Sequence, residues 1–361
     1  MKAAPAVILA AALAACGTPQ AGSVAEEESP GIQFRWEFHA DDYVRAKPIV
    51  RGDLVFFGSD DNRVRALTWR TGELAWAFDT LDNVTSTPAV YENLLVVGSW
   101  DGNVYALDLQ SGKEMWAFPT GAPVSGSPAV SDSMIYVGSE DGTLYALTAS
   151  GGLVWSFATS GRIESAPAVR DGIVYVGSTD NYLHALRVTD GSQAWMVATG
   201  GDIPTVPAVA DGKVVFGSTD RTLYCVDSRN GNLLWTFNAD AAITSSPLIS
   251  DGVTYFGSDD GQVSAVQLKD GRLLWKHDTG ALVQSPPFVW GDLLLIGNDA
   301  GTLIALDVAA GSRVWEYQTG GAIIAGAAVH EDFLFVGSLD RKLHAFEIEA
   351  DGKGAAGGPN P

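Results

Sequence analysis

The residue types that most often bind metals or act as nucleophiles are few and scattered in this sequence. The chain has two cysteines, Cys16 and Cys225, and five histidines. No histidines, cysteines and aspartates share the spacing of a zinc site. The segment Asp259-Asp260-Gly261 lacks the alternating acidic pattern of a calcium loop. We therefore expect no catalytic residue and no metal site.

Cys16 is the cysteine for which the sequence predicts a covalent modification. Lys2 precedes an apolar run over residues 3–15, which is shorter than the about 20 residues of a membrane-spanning helix and is typical of a secretory signal peptide. The run ends in Leu-Ala-Ala-Cys-Gly at residues 13–17, which resembles the bacterial lipobox. The resemblance implies a lipidated Cys16 at the mature N-terminus and a lipid anchor in a membrane. The alternative is an ordinary cleaved signal with an unrelated cysteine.

Four segments follow from this interpretation. We expect a lipoprotein signal peptide at residues 1–15 and a lipidated cysteine with a flexible tether at 16–32, which is polar and rich in proline and glycine. A folded domain occupies 33–349, and a disordered tail occupies 350–361. Gly17 in place of aspartate implies, by the usual sorting of Gram-negative lipoproteins, an outer-membrane lipoprotein that faces the periplasm.

One tryptophan recurs every 39 or 40 residues along the chain. A glycine and a proline repeat in phase with it, with Ala327 in the eighth proline slot. Three series in phase indicate a repeat array whose units share one continuous core. The repeating tryptophans are Trp36, Trp76, Trp116, Trp155, Trp195, Trp235, Trp275 and Trp315.

Each repeat contains four short β segments separated by turn residues, without helical periodicity. A period of about 40 residues with four strands is typical of one β-propeller blade. The last repeat lacks a fourth strand, and the chain begins with one at residues 34–38. We predict an all-β fold: an eight-bladed β-propeller of four-stranded antiparallel blades, closed by the N-terminal strand completing the last blade.

Asp-Gly pairs stand at many of the expected turns and predict type I′ turns, with positive φ at both residues. They also explain part of the net charge of -21. This charge is opposite to that of a nucleic-acid-binding surface, so we expect no nucleic-acid partner. We also expect the propeller to be monomeric. The pairs are Asp141-Gly142, Asp171-Gly172, Asp211-Gly212, Asp251-Gly252 and Asp260-Gly261.

Residues 106–116, Ala-Leu-Asp-Leu-Gln-Ser-Gly-Lys-Glu-Met-Trp, resemble the tryptophan-docking motif of the PQQ-like propellers. The resemblance implies that each repeating tryptophan has a structural docking role, stacked between an alanine and a glycine-bearing turn of neighbouring blades. Cys225 occupies the alanine slot of its repeat, and we interpret it as a small buried apolar residue. His184 and His344 occupy a slot that holds tyrosine elsewhere, and we interpret them as strand residues facing a neighbouring blade.

The quinoprotein dehydrogenases of this family hold PQQ and calcium on the propeller axis. They are longer, carry insertions between blades, and many have a vicinal cysteine pair; the regular spacing and two distant cysteines of this chain depart from that pattern. The residues three before each blade proline should lie near the axis and include Arg45 and Glu164. Three carboxylates on PQQ require several cations or a metal. We therefore expect no cofactor, and a PQQ-dependent dehydrogenase-like protein is the least favoured alternative.

The BamB lipoproteins of the outer-membrane β-barrel assembly machine combine a lipobox, a short tether and an eight-bladed propeller. Their loops Leu-Arg-Gly-Glu-Ser-Ala-Pro and Asp-x-Asp-Thr-Thr-Pro contact the POTRA domains of the central barrel subunit. Residues 162–167, Arg-Ile-Glu-Ser-Ala-Pro, resemble the first loop, and residues 202–207, Asp-Ile-Pro-Thr-Val-Pro, the second. The resemblance implies a non-enzymatic protein-protein interaction scaffold that binds POTRA domains through Arg162, Glu164 and Asp202.

Two departures put an identical docking mode in doubt. Gly161 stands where that group has leucine, and Pro204 replaces the second aspartate. The alternative is a generic envelope propeller that binds another protein. Trp100, which replaces a polar turn residue, is a candidate binding hot spot or a surface-stacked aromatic.

Overall fold

A computed structural model describes residues 31–348 of the chain. Its strands form eight sheets, each four-stranded and antiparallel, whose innermost strands contact one another around a ring. The predicted all-β, eight-bladed propeller is confirmed. The described residues contain no helix, and so no helical segment that could cross a membrane. The predictions for Cys16, the signal peptide, most of the tether and the tail lie outside the described residues.

Each blade carries four strands, counted here from the propeller axis outward, and blade 1 begins with β2. The first strands are β2 Ile49–Arg51, β6 Ala89–Tyr91, β10 Ala129–Ser131, β14 Ala168–Arg170, β18 Ala208–Ala210, β22 Leu248–Ser250, β26 Phe288–Trp290 and β30 Ala328–His330. The second strands are β3 Leu54–Ser59, β7 Leu94–Gly98, β11 Met134–Gly138, β15 Ile173–Gly177, β19 Lys213–Gly217, β23 Val253–Gly257, β27 Leu293–Gly297 and β31 Phe333–Ser338. The third strands are β4 Arg63–Thr68, β8 Asn103–Asp108, β12 Thr143–Thr148, β16 Tyr182–Arg187, β20 Thr222–Asp227, β24 Gln262–Gln267, β28 Thr302–Asp307 and β32 Lys342–Ile348. The fourth strands are β5 Leu74–Asp79, β9 Glu114–Pro119, β13 Leu153–Ala158, β17 Gln193–Ala198, β21 Leu233–Asn238, β25 Leu273–Asp278, β29 Arg313–Gln318 and β1 Ile32–His39.

The second strand of each blade is buried over nearly its whole length. β7 reads Leu-Leu-Val-Val-Gly, a continuous apolar run, because neighbouring blades cover both of its faces. The terminal glycine makes room for the next blade: a Cβ at Gly98 would stand 2.3 Å from Cγ1 of Val124. The glycine series that marks the repeat is therefore required for packing between blades.

The fourth strand forms the outer edge of each blade and carries a β-bulge. In β13, Trp155 pairs with Ala146 and Leu153 pairs with Leu147, which leaves Val154 unpaired. The same register shift recurs in the other blades. An unpaired strand edge is a template for aggregation, and a bulge interrupts regular pairing there.

The N-terminal strand completes blade 8, as predicted. β1 pairs antiparallel with β32, and Nζ of Lys342 donates to Oε1 of Glu37 at 2.8 Å. Arg70 of blade 1 forms an ion pair with Glu331 of blade 8 at 2.8 Å. Closure therefore joins the first and last repeats and removes the free ends of an open array.

Within residues 31–348, seven of the repeating tryptophans join their blade to the next. Nε1 of Trp155 in blade 3 donates to the carbonyl oxygen of Val188 in blade 4 at 2.9 Å. Its ring covers Gly191, where an added Cβ would stand 2.5 Å from Cε3 of the tryptophan. The alanine opposite the tryptophan belongs to the tryptophan's own blade. Equivalent pairs are Trp36 with Gly72, Trp76 with Gly112, Trp116 with Gly151, Trp195 with Gly231, Trp235 with Gly271 and Trp275 with Gly311.

The type I′ prediction is confirmed for three Asp-Gly pairs and wrong for two. Both residues have positive φ in the hairpins at Asp171-Gly172, Asp211-Gly212 and Asp251-Gly252. At Asp141-Gly142 and Asp260-Gly261 only the glycine does. These two pairs lie in the turns between second and third strands, where the glycine N–H donates to a serine carbonyl three residues earlier and the aspartate stays in the ordinary φ region.

Candidate functional site

Strand direction collects two sets of loops at one end of the propeller. Because strands alternate in direction, the turns between second and third strands lie at the same end as the connections between blades. We call this end the connection face and the opposite end the hairpin face. The connection face consists of turns 60–62, 99–102, 139–142, 178–181, 218–221, 258–261, 298–301 and 339–341 with connections 40–48, 80–88, 120–128, 159–167, 199–207, 239–247, 279–287 and 319–327.

All four residues predicted to bind a partner lie on the connection face. Arg162 and Glu164 belong to the connection that enters blade 4, Asp202 to the one that enters blade 5, and Trp100 to a turn of blade 2. Arg162 and Asp202 occupy equivalent positions, because the same backbone hydrogen bond recurs at both. Thr179 N–H donates to the Arg162 carbonyl and Thr219 N–H to the Asp202 carbonyl, both at 3.0 Å. The structure therefore brings Arg162, Glu164 and Asp202 to adjacent connections, with Trp100 two blades away from Arg162.

One turn aspartate, half-buried in most blades, holds each of several connections in place. Oδ2 of Asp220 accepts hydrogen bonds from Tyr224 Oη and from Gly200 N, both at 2.7 Å, and Oδ1 accepts one from Thr222 N at 2.9 Å. Burial opposes ionisation of Asp220, but these hydrogen bonds outweigh it and lower its pKa. Burial, followed by the hydrogen bond to Asp220, raises the pKa of Tyr224 to about 12. Equivalent carboxylates are Asp61, Asp101, Asp141, Asp180 and Asp340.

The Asp220→Asn variant should lose about 1–2 kcal/mol of unfolding free energy at pH 7, because hydrogen bonds to a charged acceptor are lost. A lowered folded-state pKa contributes stability above the unfolded pKa of about 4, and this contribution is lost as pH falls through the folded value. The difference from wild type should therefore shrink toward pH 3. Urea unfolding at pH 7, 5 and 3 measures it, with the exposed Asp202→Asn as control. An equal difference at pH 7 and pH 3 would contradict this account.

Arg162 is an exposed cation within an acidic environment. Its side chain is 59% exposed, and its Nε lies 3.2 Å from Oε1 of Glu164, with Glu140 at 3.7 Å. Both contacts leave the guanidinium accessible, and solvent-exposed pairs of this kind are weak. The residue before it explains one departure from the BamB pattern: a Cβ at Gly161 would stand 2.4 Å from the backbone nitrogen of Asp180. A leucine cannot be accommodated there without moving the turn.

Trp100 is 41% exposed, and its Nε1 donates to Oγ1 of Thr85 at 2.9 Å. Its ring is therefore held in place while one side stays open to solvent. The sequence interpretation missed its neighbour Leu81, which is 82% exposed, more than any other large apolar side chain among residues 31–348. A comparison of the repeats could have identified Leu81, because the equivalent positions of the other blades hold aspartate, glycine or serine.

Arg45 and Lys47 are the two cations of the connection that enters blade 1, where a bound tricarboxylate would need positive charge. Arg45 donates through Nε to Asp60 at 2.5 Å. Burial raises the pKa of Asp60 despite that contact, and burial together with Asp259 raises the pKa of Asp299. Burial is the main cause of both raised pKa values, and Arg45 already has Asp60 as its partner, so it is not a free cation for a tricarboxylate such as PQQ.

Lys47 lies on the axial side of the first connection and is a separate cation. Its Nζ lies over the ring of Phe288 at 5.8 Å, and burial lowers its pKa. One such lysine does not supply the several cations that three carboxylates require. Residues 31–348 also contain no group of three or more His, Cys, Asp or Glu that could hold a metal ion.

The remaining singled-out residues are buried in the blades. Cys225 is a free thiol whose pKa burial raises to about 12, so it is inert rather than nucleophilic. Nε2 of His184 lies 3.1 Å from Oδ2 of Asp180, and Nε2 of His344 lies 2.9 Å from Oδ2 of Asp340. Both histidines therefore replace tyrosine as the partner of the turn aspartate.

The fold and the tryptophan docking define a PQQ-like eight-bladed propeller. Within that class the chain belongs to the family described as outer membrane protein assembly factor BamB, whose family model matches residues 24–123, 100–207 and 197–324. No curated protein matches the sequence.

Solved structures with the same fold include proteins of different kinds. BamB from Moraxella catarrhalis has a TM-score of 0.78 at 21% identity, covering 88% of this chain and 100% of that chain. The computationally designed Ika8 protein has a TM-score of 0.78 at 18% identity, covering 86% and 98%. A europium-containing methanol dehydrogenase has a TM-score of 0.76 at 14% identity, covering 88% and 93%. At these identities the similarity shows a shared fold alone.

Proposed function

We propose that this protein is a non-enzymatic cell-envelope scaffold that takes part in outer-membrane β-barrel protein assembly by binding POTRA domains. The observation that carries the proposal is the position of Arg162, Glu164 and Asp202 on adjacent connections of one face, in a member of the BamB family. Arg162 and Asp202 are both exposed, so they are accessible to a folded partner. Rigid strands support both connections, and a preorganised surface loses less entropy on binding.

The direction of β1 supports a lipid anchor at Cys16 on the far side from this partner. β1 is a fourth strand, so Ile32 lies at the hairpin face and the chain reaches the connection face at its end. The residues that precede Ile32 therefore join the propeller at the hairpin face. An anchor there leaves the connection face free to bind a protein in the periplasm.

A dehydrogenase-like function is the second candidate, because dehydrogenases share this fold. The shortage of free cations disfavours it: Arg45 is paired with Asp60, and one further lysine, Lys47, does not balance three carboxylates. We propose that the protein uses no cofactor. Titration with PQQ and calcium, followed by quinone absorbance, distinguishes the two functions.

Recovery of a POTRA-containing barrel protein from native envelopes is the direct test. The full-length protein is isolated in mild detergent beside the Arg162→Glu/Asp202→Arg variant, and bound proteins are identified by mass spectrometry. We expect at least tenfold less POTRA protein with the variant, because exchanging two opposite charges replaces attraction with repulsion at both contacts.

A matched control is Arg170→Glu/Asp53→Arg, which makes the same charge exchange on the exposed hairpin face and should leave recovery unchanged. Equal recovery with the connection-face variant would place the contact elsewhere. Wild-type protein that recovers no POTRA protein would overturn the assembly function.

A further inference from the structure

The eightfold repeat provides an internal comparison for every surface position. The position of Leu81 is filled in the other blades by Asp41, Gly121, Ser160, Gly200, Asp240, Gly280 and Gly320. None of these is apolar, so the fold does not require an aliphatic side chain there. Leu81 nevertheless projects to solvent with 82% of its surface exposed. An exposed apolar residue that the fold does not need indicates a binding role more strongly than one that recurs in every blade for packing.

Trp100 is the one aromatic residue at its turn position in the repeat. The equivalent turn positions hold Asp60, Glu140, Thr179, Thr219, Asp259, Asp299 and Leu339. Blade 8 also has an apolar residue at this turn, but only the boundary of blades 1 and 2 combines it with an aliphatic residue at the Leu81 position. The two loops touch: the Leu81 N–H donates to Oδ2 of Asp101 at 3.0 Å, and the Trp100 N–H donates to the Asn83 carbonyl at 2.9 Å.

The backbone under these two side chains is held rigidly. The carbonyl oxygen of Asp82 accepts hydrogen bonds from Thr80 Oγ1 at 2.7 Å and from Ser99 Oγ at 3.1 Å. With the indole bonded to Thr85, little freedom remains to be lost when a partner binds. Tryptophan in such a setting is a frequent hot-spot residue.

The surroundings of Leu81 and Trp100 are acidic. Asp82 is exposed and Asp101 is half-buried, and neither forms an ion pair with a cation of residues 31–348. Charge complementarity therefore favours a cationic group on the partner. It disfavours an anionic lipid surface, which would be repelled here.

We propose that Leu81, Trp100, Asp82 and Asp101 form a second docking surface, the Leu81–Trp100 patch, for a polypeptide segment that carries an aliphatic or aromatic side chain next to lysine or arginine. The patch lies two blades from Arg162, about a quarter of the ring away. It does not depend on the proposed POTRA contact.

Fluorescence anisotropy with labelled ten-residue peptides tests the patch on the full chain without its signal. The probes are an arginine/leucine peptide, a version with glutamate for arginine, and a version with serine for leucine. We expect the arginine/leucine peptide to bind at least tenfold more tightly than either other peptide. The Leu81→Gly/Trp100→Thr variant should weaken its binding at least tenfold. Other blades carry glycine and threonine at these positions, so the variant should keep its thermal midpoint.

The Arg162→Glu/Asp202→Arg variant is the control for the other surface and should bind the arginine/leucine peptide within twofold of wild type. Loss of binding in this control, or unchanged binding in the Leu81→Gly/Trp100→Thr variant with an unchanged thermal midpoint, overturns the proposal. Equal binding of the glutamate peptide also overturns it. So does self-association in sedimentation that the Leu81→Gly/Trp100→Thr variant abolishes, because the occupant would then be a second copy of the chain.

Discussion

Removing β1, residues 32–39, should abolish the cooperative unfolding of the propeller. The deletion exposes the edge of β32 and removes Trp36, whose Nε1 donates to the Trp69 carbonyl of blade 1 at 3.1 Å. A buried tryptophan alone contributes at most about 5 kcal/mol, and the whole strand pairing is lost with it. That loss is comparable to the total stability of a typical domain, about 5–15 kcal/mol. Thermal circular dichroism and hydrophobic-dye binding measure the effect.

Truncation after residue 349 is the comparison and should keep a cooperative transition. A synthetic peptide of residues 31–40 added to the deleted protein should restore part of the cooperative transition. The strand pairs through backbone hydrogen bonds and can therefore be supplied in trans. If the deleted protein unfolds as sharply as the full chain, the pairing of β1 with β32 does not stabilise the closed ring.

The Gly191→Ala variant should destabilise the propeller by about 3–5 kcal/mol, against about 1 kcal/mol for Gly172→Ala. Both glycines have positive φ, +69° and +77°, so alanine is strained at both. Only at Gly191 would the added Cβ stand 2.5 Å from Cε3 of Trp155; at Gly172 no heavy atom lies within 4 Å. The difference between the two variants therefore isolates the tryptophan contact.

Urea unfolding followed by circular dichroism measures both variants under the same conditions. Tryptophan fluorescence of the folded Gly191→Ala protein should also change, because Trp155 must move from its position over the turn. Similar losses for the two variants would mean that backbone strain alone, and not docking between blades, makes the glycine necessary.

The repeat made most of the fold predictable. The positions of tryptophan, glycine and proline define the blade boundaries, and the missing last strand together with the spare first one predicts closure. These predictions succeeded because each rests on local patterning that is copied eight times, so an error in one blade is corrected by the others. The type I′ prediction at Asp141-Gly142 was wrong because an Asp-Gly pair does not by itself distinguish a two-residue hairpin from the longer turn between second and third strands.

The sequence by itself determined the number of blades, the ring closure and the docking residues, since these follow from periodicity and from the size of each side chain. Only the tertiary structure decided which side chains meet across blades. The pairing of Arg45 with Asp60 and the close approach of Gly161 to Asp180 both depend on where a connection crosses a neighbouring turn. Leu81 and Trp100 become one surface for the same reason: they lie on separate loops, and the hydrogen bonds between those loops exist only in the folded ring.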